Sequence, residues 1–197
     1  MDKEPVYTQW EEFLSPKVMH ERLISASLYI TAYEILKESI IDRIRSFYMV
    51  GWNIEDGEII GSEYKLKVLS LNNSVLYASL SWLQTRGAIN QIDLESFEAL
   101  KKLRNSLAHN LPQLVLQGID LKIEDNFQKL FELLRKIEVW WIVEFEIPTN
   151  PDFDGKDIDV DKITPGPIIM MQMMLEVLSG NEDLLKHYKE HNPPSVE

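Results

Sequence analysis

Residues 16–49, PKVMHERLISASLYITAYEILKESIIDRIRSFYM, form the longest stretch of the chain that has no Gly or Pro after its first residue. Ser15 precedes Pro16, and a Ser N-cap followed by Pro at the first helical position is typical of a helix start. We expect one helix that Gly51 ends, and at 1.5 Å per residue it would be about 50 Å long. Such a rod must pack against several helices or another chain. Its apolar residues mostly recur every three or four positions: Met19, Leu23, Ala26, Ile30, Tyr33, Ile40, Ile44 and Phe47.

The composition is that of a folded globular chain. Of 197 residues, 45% are hydrophobic and 26% charged, which excludes bulk disorder. The absence of cysteine excludes disulfides, zinc fingers, iron–sulfur clusters and thiol nucleophiles. No secretory signal pattern begins the chain, and no apolar run is long enough for a membrane span. We therefore expect a cytoplasmic protein that does not contact a membrane.

The acidic charge is concentrated outside two central segments, residues 15–50 and 62–110, which carry net charges of +1 and +2. The net charge of the chain is −12, and the last 49 residues contribute −6. This total argues against a protein that coats nucleic acid by bulk charge. A locally positive site on an acidic body is compatible with it.

Two further helices follow the first. The linker 51–61 is acidic and bounded by glycines, and it precedes a second helix from about Ser62 to Arg86, with Gly87 just after its end. We expect Asp93 to cap a third helix that stops near Asn110, because Pro112 disfavours the helical conformation of the residue before it. The apolar segment 112–118 is too short to assign.

The rest of the chain predicts a fourth helix and an extension. The fourth helix should run from about Asp120 to Glu146, and residues 146–167 should be a long loop. Thr164 and Pro165 should open a short Met-rich helix that Gly180 closes. The last helix should be capped by Asn181 and end before residues 193–194, both prolines. The apolar stripe of the fourth helix comprises Phe127, Leu130, Phe131, Leu134, Ile137 and Trp141.

These elements predict an all-α fold, a helical bundle of four main helices with a C-terminal helical extension. We divide the chain into an N-terminal arm (1–14), the bundle (15–147), and an acidic loop with the helical extension (148–197).

One constellation of residues points to chemistry: KKLRNSLAHN, residues 101–110. Arg104, Asn105 and His109 lie in the C-terminal part of the third predicted helix. A basic residue and a His near a helix C-terminus are also favoured by the helix dipole alone. Asn105 and His109 share a face at i, i+4, but Arg104 and His109 are about 140° apart on an ideal helix.

The motif and its surroundings resemble the HEPN superfamily, helical bundles named for higher eukaryotes and prokaryotes nucleotide-binding. Their signature is an Arg, a polar residue that is often Asn, a few more residues and a His, in the C-terminal part of a bundle helix. Residues 104–109, RNSLAH, match that signature, and the resemblance covers roughly residues 15–147. The toxin branch often has Tyr two residues after the His, where this chain has Leu111.

The resemblance implies a metal-independent endoribonuclease of a toxin–antitoxin or phage-defence system, with RNA as substrate, no cofactor and an antitoxin protein as a possible partner. His109 would move the proton, Arg104 would stabilise the phosphate charge, and Asn105 would supply a neutral hydrogen bond that orients His109 or the phosphate. The site would form at a homodimer interface. Lys101 and Lys102 could attract RNA, although a solvated helix face also explains both. The alternative is a catalytically silent HEPN-like bundle that binds a nucleotide or a partner protein.

Four other patterns have simpler interpretations. Residues 187–191, HYKEH, match an inverted zincin motif, but a third ligand would have to lie within six residues. The acidic residues of 152–161 lack the register of a calcium loop, so we predict no metal site. The methionines of 170–174 could bind a partner, but packing against the bundle is the simpler assignment. The five tryptophans could stack on bases, although Trp140 and Trp141 fit a core or an interface better.

Overall fold

The computed structural model describes residues 10–55, 57–117 and 123–192. The fold is all-α, as predicted, apart from one small hairpin. The elements in chain order are α1 (Pro16–Phe47), β1 (Met49–Asn53), β2 (Gly57–Ile60), α2 (Ser62–Lys67), α3 (Val75–Thr85), α4 (Gln91–Gln117), α5 (Ile123–Trp141), α6 (Gly166–Leu178) and α7 (Asp183–His191).

Helix α1 is the central element, and it packs against α3, α4 and α5. It begins after Ser15 with Pro16 in its first turn, as predicted, and ends at Phe47 rather than at Gly51. Its fully buried residues recur at helical spacing from Ala26 to Ile44, whereas none of its first ten residues is buried. A short helical turn at residues 10–14 precedes it and is joined to it by an ion pair between Glu12 and Arg22. The rest of the predicted N-terminal arm lies outside the described residues.

Residues of the predicted linker form an antiparallel β-hairpin, in which β1 pairs with β2. Gly57 has a φ of +73°, the left-handed region that glycine adopts most easily. The hairpin is tied to the end of α1, because the amide of Gly61 donates to the carbonyl of Tyr48. The sequence predicted a linker here and no strand, so the hairpin is an element that the prediction lacked.

The predicted second helix is divided into two. Helix α2 ends at Lys67, a 3₁₀ turn covers Leu69–Leu71, and α3 begins only after Ser74. The break falls at Asn72, whose side chain accepts a hydrogen bond from the amide of Ser74. Side chains of this kind compete with the helical hydrogen bonds of the backbone.

Helix α4 is capped by Asn90, not by Asp93. The side chain of Asn90 accepts from the amides of Ile92 and Asp93, and the carboxylate of Asp93 accepts from the amide of Asn90 at 2.7 Å. This reciprocal arrangement is a capping box, with Asp93 in the third helical position. The helix is interrupted at Asn110 (φ −111°, ψ 17°), where the sequence predicted its end, but a further helical segment reaches Gln117.

Helix α5 buries the predicted apolar stripe, with Leu130, Leu134, Ile137 and Trp141 in the core and Phe127 and Phe131 partly buried against it. Its predicted start near Asp120 lies outside the described residues. A π-helical turn, Ile142–Glu146, follows it. The predicted loop contains only short turns before α6 begins at Gly166. Helix α6 packs on α1 and α5.

An aromatic cluster closes the end of the bundle where α1 meets α3 and α5. Trp82 stacks on Trp141 with ring centroids 5.7 Å apart, and Phe47 and Phe145 pack beside them. Trp82 and Trp141 are buried, so these two indoles belong to the core rather than to a base-stacking surface. None of the helices in the described ranges is long and apolar enough to cross a membrane.

Candidate functional site

The Arg104 side chain lies where α4 packs on the middle of α1. Its guanidinium donates to Glu34 Oε1 at 2.5 Å and to Asn105 Oδ1 at 3.3 Å. It also lies 5.8 Å from the centre of the Tyr33 ring. Residues of both α1 and α4 therefore fix the orientation of the guanidinium, although the sequence motif contains only residues of α4.

Glu34 is the residue of this site that sequence reasoning missed. Its second carboxylate oxygen accepts from Lys37 Nζ at 2.9 Å, so the carboxylate bridges a Lys and an Arg. These contacts hold the pKa of Glu34 below its ordinary value, with the Lys37 hydrogen bond as the largest cause and Arg104 adding to it. Glu34 is therefore an anion at neutral pH. Seventy residues separate it from Arg104, and no local sequence signal connects the two.

Two tyrosines of α1, Tyr29 and Tyr33, lie near this part of α4, and Tyr33 contacts Arg104. Burial raises the pKa of Tyr33 to about 12, so its phenol stays neutral at physiological pH. The hydroxyl of Tyr29 is buried and donates to the carbonyl of Leu100 at 3.1 Å, which ties α1 to α4 one helical turn before Arg104. The Nε atom of Arg104 is buried and has no hydrogen-bond partner within the described part of the chain. Its two terminal nitrogens already donate within the chain, Nη1 to Asn105 and Nη2 to Glu34, so an anion that binds Arg104 must share them with these partners.

Asn105 and the two lysines of the motif line a shallow cleft of about 460 Å³ on the outer face of α4. Lys101 donates to the hydroxyl of Tyr77 at 2.6 Å and lies over its ring, while Lys102 is exposed. Glu98 lines the same cleft. Lys101 is therefore held by α3, and Lys102 is the more accessible of the two cations.

His109 is exposed and directly precedes Asn110, the residue at which α4 loses helical geometry. The three predicted site residues thus lie on one helix, but only Arg104 and Asn105 are joined by a hydrogen bond. Because the irregular residue follows His109, the segment from Arg104 to His109 keeps helical geometry. The angular separation of about 140° between Arg104 and His109 therefore stands.

The other patterns of the sequence do not form comparable sites. His187 and His191 stack at 4.2 Å on an exposed helix. In the described part of the chain, no three His, Asp or Glu side chains are grouped so that they could hold a metal ion. Asp159 caps a 3₁₀ turn, Val160–Lys162, and Arg135 donates to the carbonyl of Asp161 at 3.0 Å. The acidic loop is therefore attached to α5 through its backbone.

No family model matches this chain, and neither a curated protein nor a solved structure is significantly similar to it. The function is accordingly argued from the residues and their geometry.

Proposed function

We propose that the chain is a metal-independent endoribonuclease of the HEPN type, acting in the cytoplasm within a toxin–antitoxin or phage-defence system. The observation that supports this most is the arrangement around Arg104. The guanidinium is held by Glu34 and Asn105, and an exposed His109 follows it on the same helix. A fixed cation and a solvent-accessible imidazole are the two groups that phosphate-ester cleavage requires at the reacting phosphate.

The chemistry is an internal transfer at phosphorus. The ribose 2′-oxygen attacks the adjacent phosphate, the bond to the 5′-oxygen breaks, and the products are a cyclic phosphate and a 5′-hydroxyl. His109 takes the proton of the 2′-hydroxyl or supplies the proton to the leaving 5′-oxygen. Arg104 binds the phosphate oxygens as their negative charge grows. Asn105 supplies a neutral hydrogen bond and keeps Arg104 oriented.

A second copy of the chain completes the site in this proposal. Arg104 and His109 of one helix point about 140° apart, so one phosphate cannot contact both from the same face. Two motifs facing each other across a two-fold axis place Arg104 of one copy beside His109 of the other. The proposed enzyme is therefore a homodimer that binds RNA between its subunits.

One observation favours a second candidate function, a silent bundle that binds a nucleotide or a partner protein. Glu34 already neutralises Arg104 within the chain. A phosphate must therefore compete with a carboxylate for the same cation. In a silent bundle this ion pair serves only to join α1 to α4.

The discriminating experiment measures RNA cleavage and melting temperature on the same variants. His109→Ala should abolish cleavage without lowering the melting temperature, because the side chain is exposed. Arg104→Ala should abolish cleavage and weaken RNA binding, and Arg104→Lys should restore only part of the activity, since an ammonium cannot make a two-pronged phosphate contact. His20→Ala, an exposed His on α1, is the matched control and should behave as the wild type.

The same experiment decides against the nuclease if the wild type cleaves no RNA, or if His109→Ala cleaves as fast as the wild type. A wild type that binds RNA or a nucleotide without cleaving it supports the silent bundle.

A further inference from the structure

The cleft on the outer face of α4 holds two neighbouring lysines, Lys101 and Lys102, beside Asn105. Lys101 donates to the hydroxyl of Tyr77 and not to a carboxylate, and within the described part of the chain neither lysine forms an ion pair. Lysines on α1, α2 and α5 are instead bound by glutamate or aspartate. The chain carries a net charge of −12. Two adjacent ammonium groups that have no ion pair among the described residues therefore favour an anionic ligand at this point.

Helix α3 holds Lys101 in place without neutralising it. The bond from Lys101 Nζ to the hydroxyl of Tyr77 is 2.6 Å long, and it joins α4 to α3. An ammonium group has three donors, so two remain for a ligand after this bond is made. A side chain that is fixed before binding loses less conformational entropy when the ligand arrives. Lys102 is exposed next to it and supplies a second charge.

The two lysines lie on the same side of α4 as Asn105 and His109. At about 100° per residue, these four side chains fall within about 100° of arc. The lysines come three and four residues before Asn105, which is about 4.5–6 Å along the helix axis, and His109 comes four residues after it. The segment is helical up to Asn110. A ligand that runs along this side of the helix therefore meets the lysines, Asn105 and His109 in turn.

We propose that this cleft binds the phosphate next to the one that is cleaved, so that the substrate is an RNA strand with two or more successive phosphates and not a dinucleotide. The proposal rests on the proposed function, since it takes Asn105 and His109 as the place of the reacting phosphate. One helical turn separates that place from the lysines, which is within reach of the neighbouring phosphate. Lys101 and Lys102 bind its oxygens as point charges, and Tyr77 is a positioning residue.

The first test measures binding of a short 2′-O-methyl RNA oligonucleotide, which lacks the attacking hydroxyl and cannot be cleaved. Fluorescence anisotropy at a series of salt concentrations gives the affinity and its salt dependence. Lys102→Ala should lower the affinity about fivefold. It should also reduce the slope of log affinity against log salt by about 0.7, the value for one phosphate contact on a single strand. Lys101→Ala should have effects of the same size.

The matched control is Lys65→Ala, an exposed lysine on α2. Tyr64 of α2 packs on Tyr48, which lies about 20 Å along α1 from Glu34 and hence from the motif. The variant removes the same charge at a distant point, so the affinity and the salt slope should both stay at their wild-type values.

The carboxylate of Glu98 gives a test of opposite sign. Glu98 is exposed and lines the same cleft, one helical turn before Lys102. Its negative charge repels a phosphate in the cleft, and the repulsion is screened by salt. Glu98→Gln should therefore raise the affinity for the oligonucleotide about twofold at low salt.

Tyr77→Phe tests whether the hydroxyl positions Lys101. The variant keeps both lysine charges and removes only the acceptor of the Lys101 bond. The affinity should fall about twofold, because Lys101 must then be ordered on binding. The salt slope should not change, because the number of phosphate contacts is the same. A lower melting temperature with wild-type affinity would show that Tyr77 only joins α3 to α4, and would overturn its role as a positioning residue.

The substrate class is tested by cleavage of a dinucleotide and two trinucleotides. Each has a single 2′-hydroxyl at the cleavable position, and the second phosphate of the trinucleotide lies on its 5′ side or on its 3′ side. The wild-type kcat/KM should be about fivefold higher for one of the trinucleotides than for the dinucleotide. Lys102→Ala should remove that preference.

The outcomes separate this proposal from the proposed function. A wild type that binds and cleaves RNA, with both lysine variants equal to it, overturns the subsite and leaves the nuclease standing. Equal kcat/KM for all three substrates overturns the substrate class. A wild type that binds with the expected dependence on the lysines but cleaves nothing supports the phosphate site and overturns the nuclease. A wild type that binds no oligonucleotide overturns both.

Discussion

Replacing Glu34 by Gln tests whether the carboxylate beneath the motif both stabilises the fold and positions Arg104. The substitution keeps the shape of the side chain and removes its charge. Charged hydrogen bonds contribute about 1.5–3 kcal/mol when well buried. The Arg104 and Glu34 side chains are 31% and 32% exposed, so solvent screening reduces the expected loss to about 1 kcal/mol. For a chain of this size that corresponds to a fall of roughly 2–4 °C in melting temperature.

The pH dependence of this stability difference follows from the ionisation of Glu34. The pKa of Glu34 is lowered in the folded chain, so its ionised form stabilises the fold above the ordinary value of 4.5. That contribution is lost as the pH falls below 4.5 and the carboxylate is protonated. The stability difference between the wild type and Glu34→Gln should therefore be full at neutral pH and vanish in acid. Chemical denaturation at a series of pH values measures it.

The RNA cleavage rate of Glu34→Gln tests whether Glu34 also positions Arg104 for the proposed reaction. If Glu34 positions Arg104, Glu34→Gln should lower the cleavage rate about tenfold, because a displaced guanidinium binds the reacting phosphate less well. Glu38→Gln, an exposed glutamate on the same helix, should change neither quantity. A stability difference that is equal at all pH values, or an equal effect of Glu38→Gln, would refute the reasoning.

Two further predictions concern metal and the core. RNA cleavage should continue in excess EDTA, because the motif offers an imidazole and a guanidinium rather than a carboxylate cluster; loss of activity that magnesium or zinc restores would reject the mechanism. Glu138→Ala should lower the free energy of unfolding by about 2 kcal/mol, because Glu138 is 1% exposed and its removal leaves the buried Ser39 hydroxyl without its bond of 2.6 Å, while Arg43 loses one of its two carboxylates and keeps Glu146. Urea denaturation measures this, with the exposed Glu144→Ala as control, and a loss below about 1 kcal/mol would contradict it.

Helix boundaries were predictable where a single proline or glycine determines the local backbone conformation. Pro16 fixes the start of α1, and Gly180, with a φ of +84°, follows the end of α6. Pro112 correctly indicated the irregularity at Asn110. Each of these effects depends on one residue and its immediate neighbours, so the sequence contains the whole cause.

The sequence of the linker contains a hairpin signal. Asp56-Gly57 is a preferred dipeptide for tight hairpin turns, and apolar residues lie on both sides of it. Its acidic residues and flanking glycines favoured a loop instead. A two-stranded hairpin has little stability of its own, and here Tyr48 and Ile60 attach it to the core.

The residues that contact the motif were less predictable than the motif itself. The spacing of Arg104, Asn105 and His109 is visible in the sequence, but the Glu34 contact depends on how α1 and α4 pack. Helix α1 has four acidic residues, and only the packing of the two helices brings Glu34 to Arg104. The same reason explains why the exposure of the α6 methionines escaped prediction, since packing decides that Met171 is buried and Met173 is not.

The position of the irregularity in α4 decides what one copy of the chain can do. Pro112 lacks the N–H that would donate to the carbonyl of Ala108, and the backbone leaves helical geometry at Asn110. Both Arg104 and His109 precede that point, so the irregularity does not rotate one toward the other. Glu34 further holds Arg104 on the α1 side of the helix. One copy therefore presents half of the proposed site, and in the proposed mechanism a second copy supplies the other half.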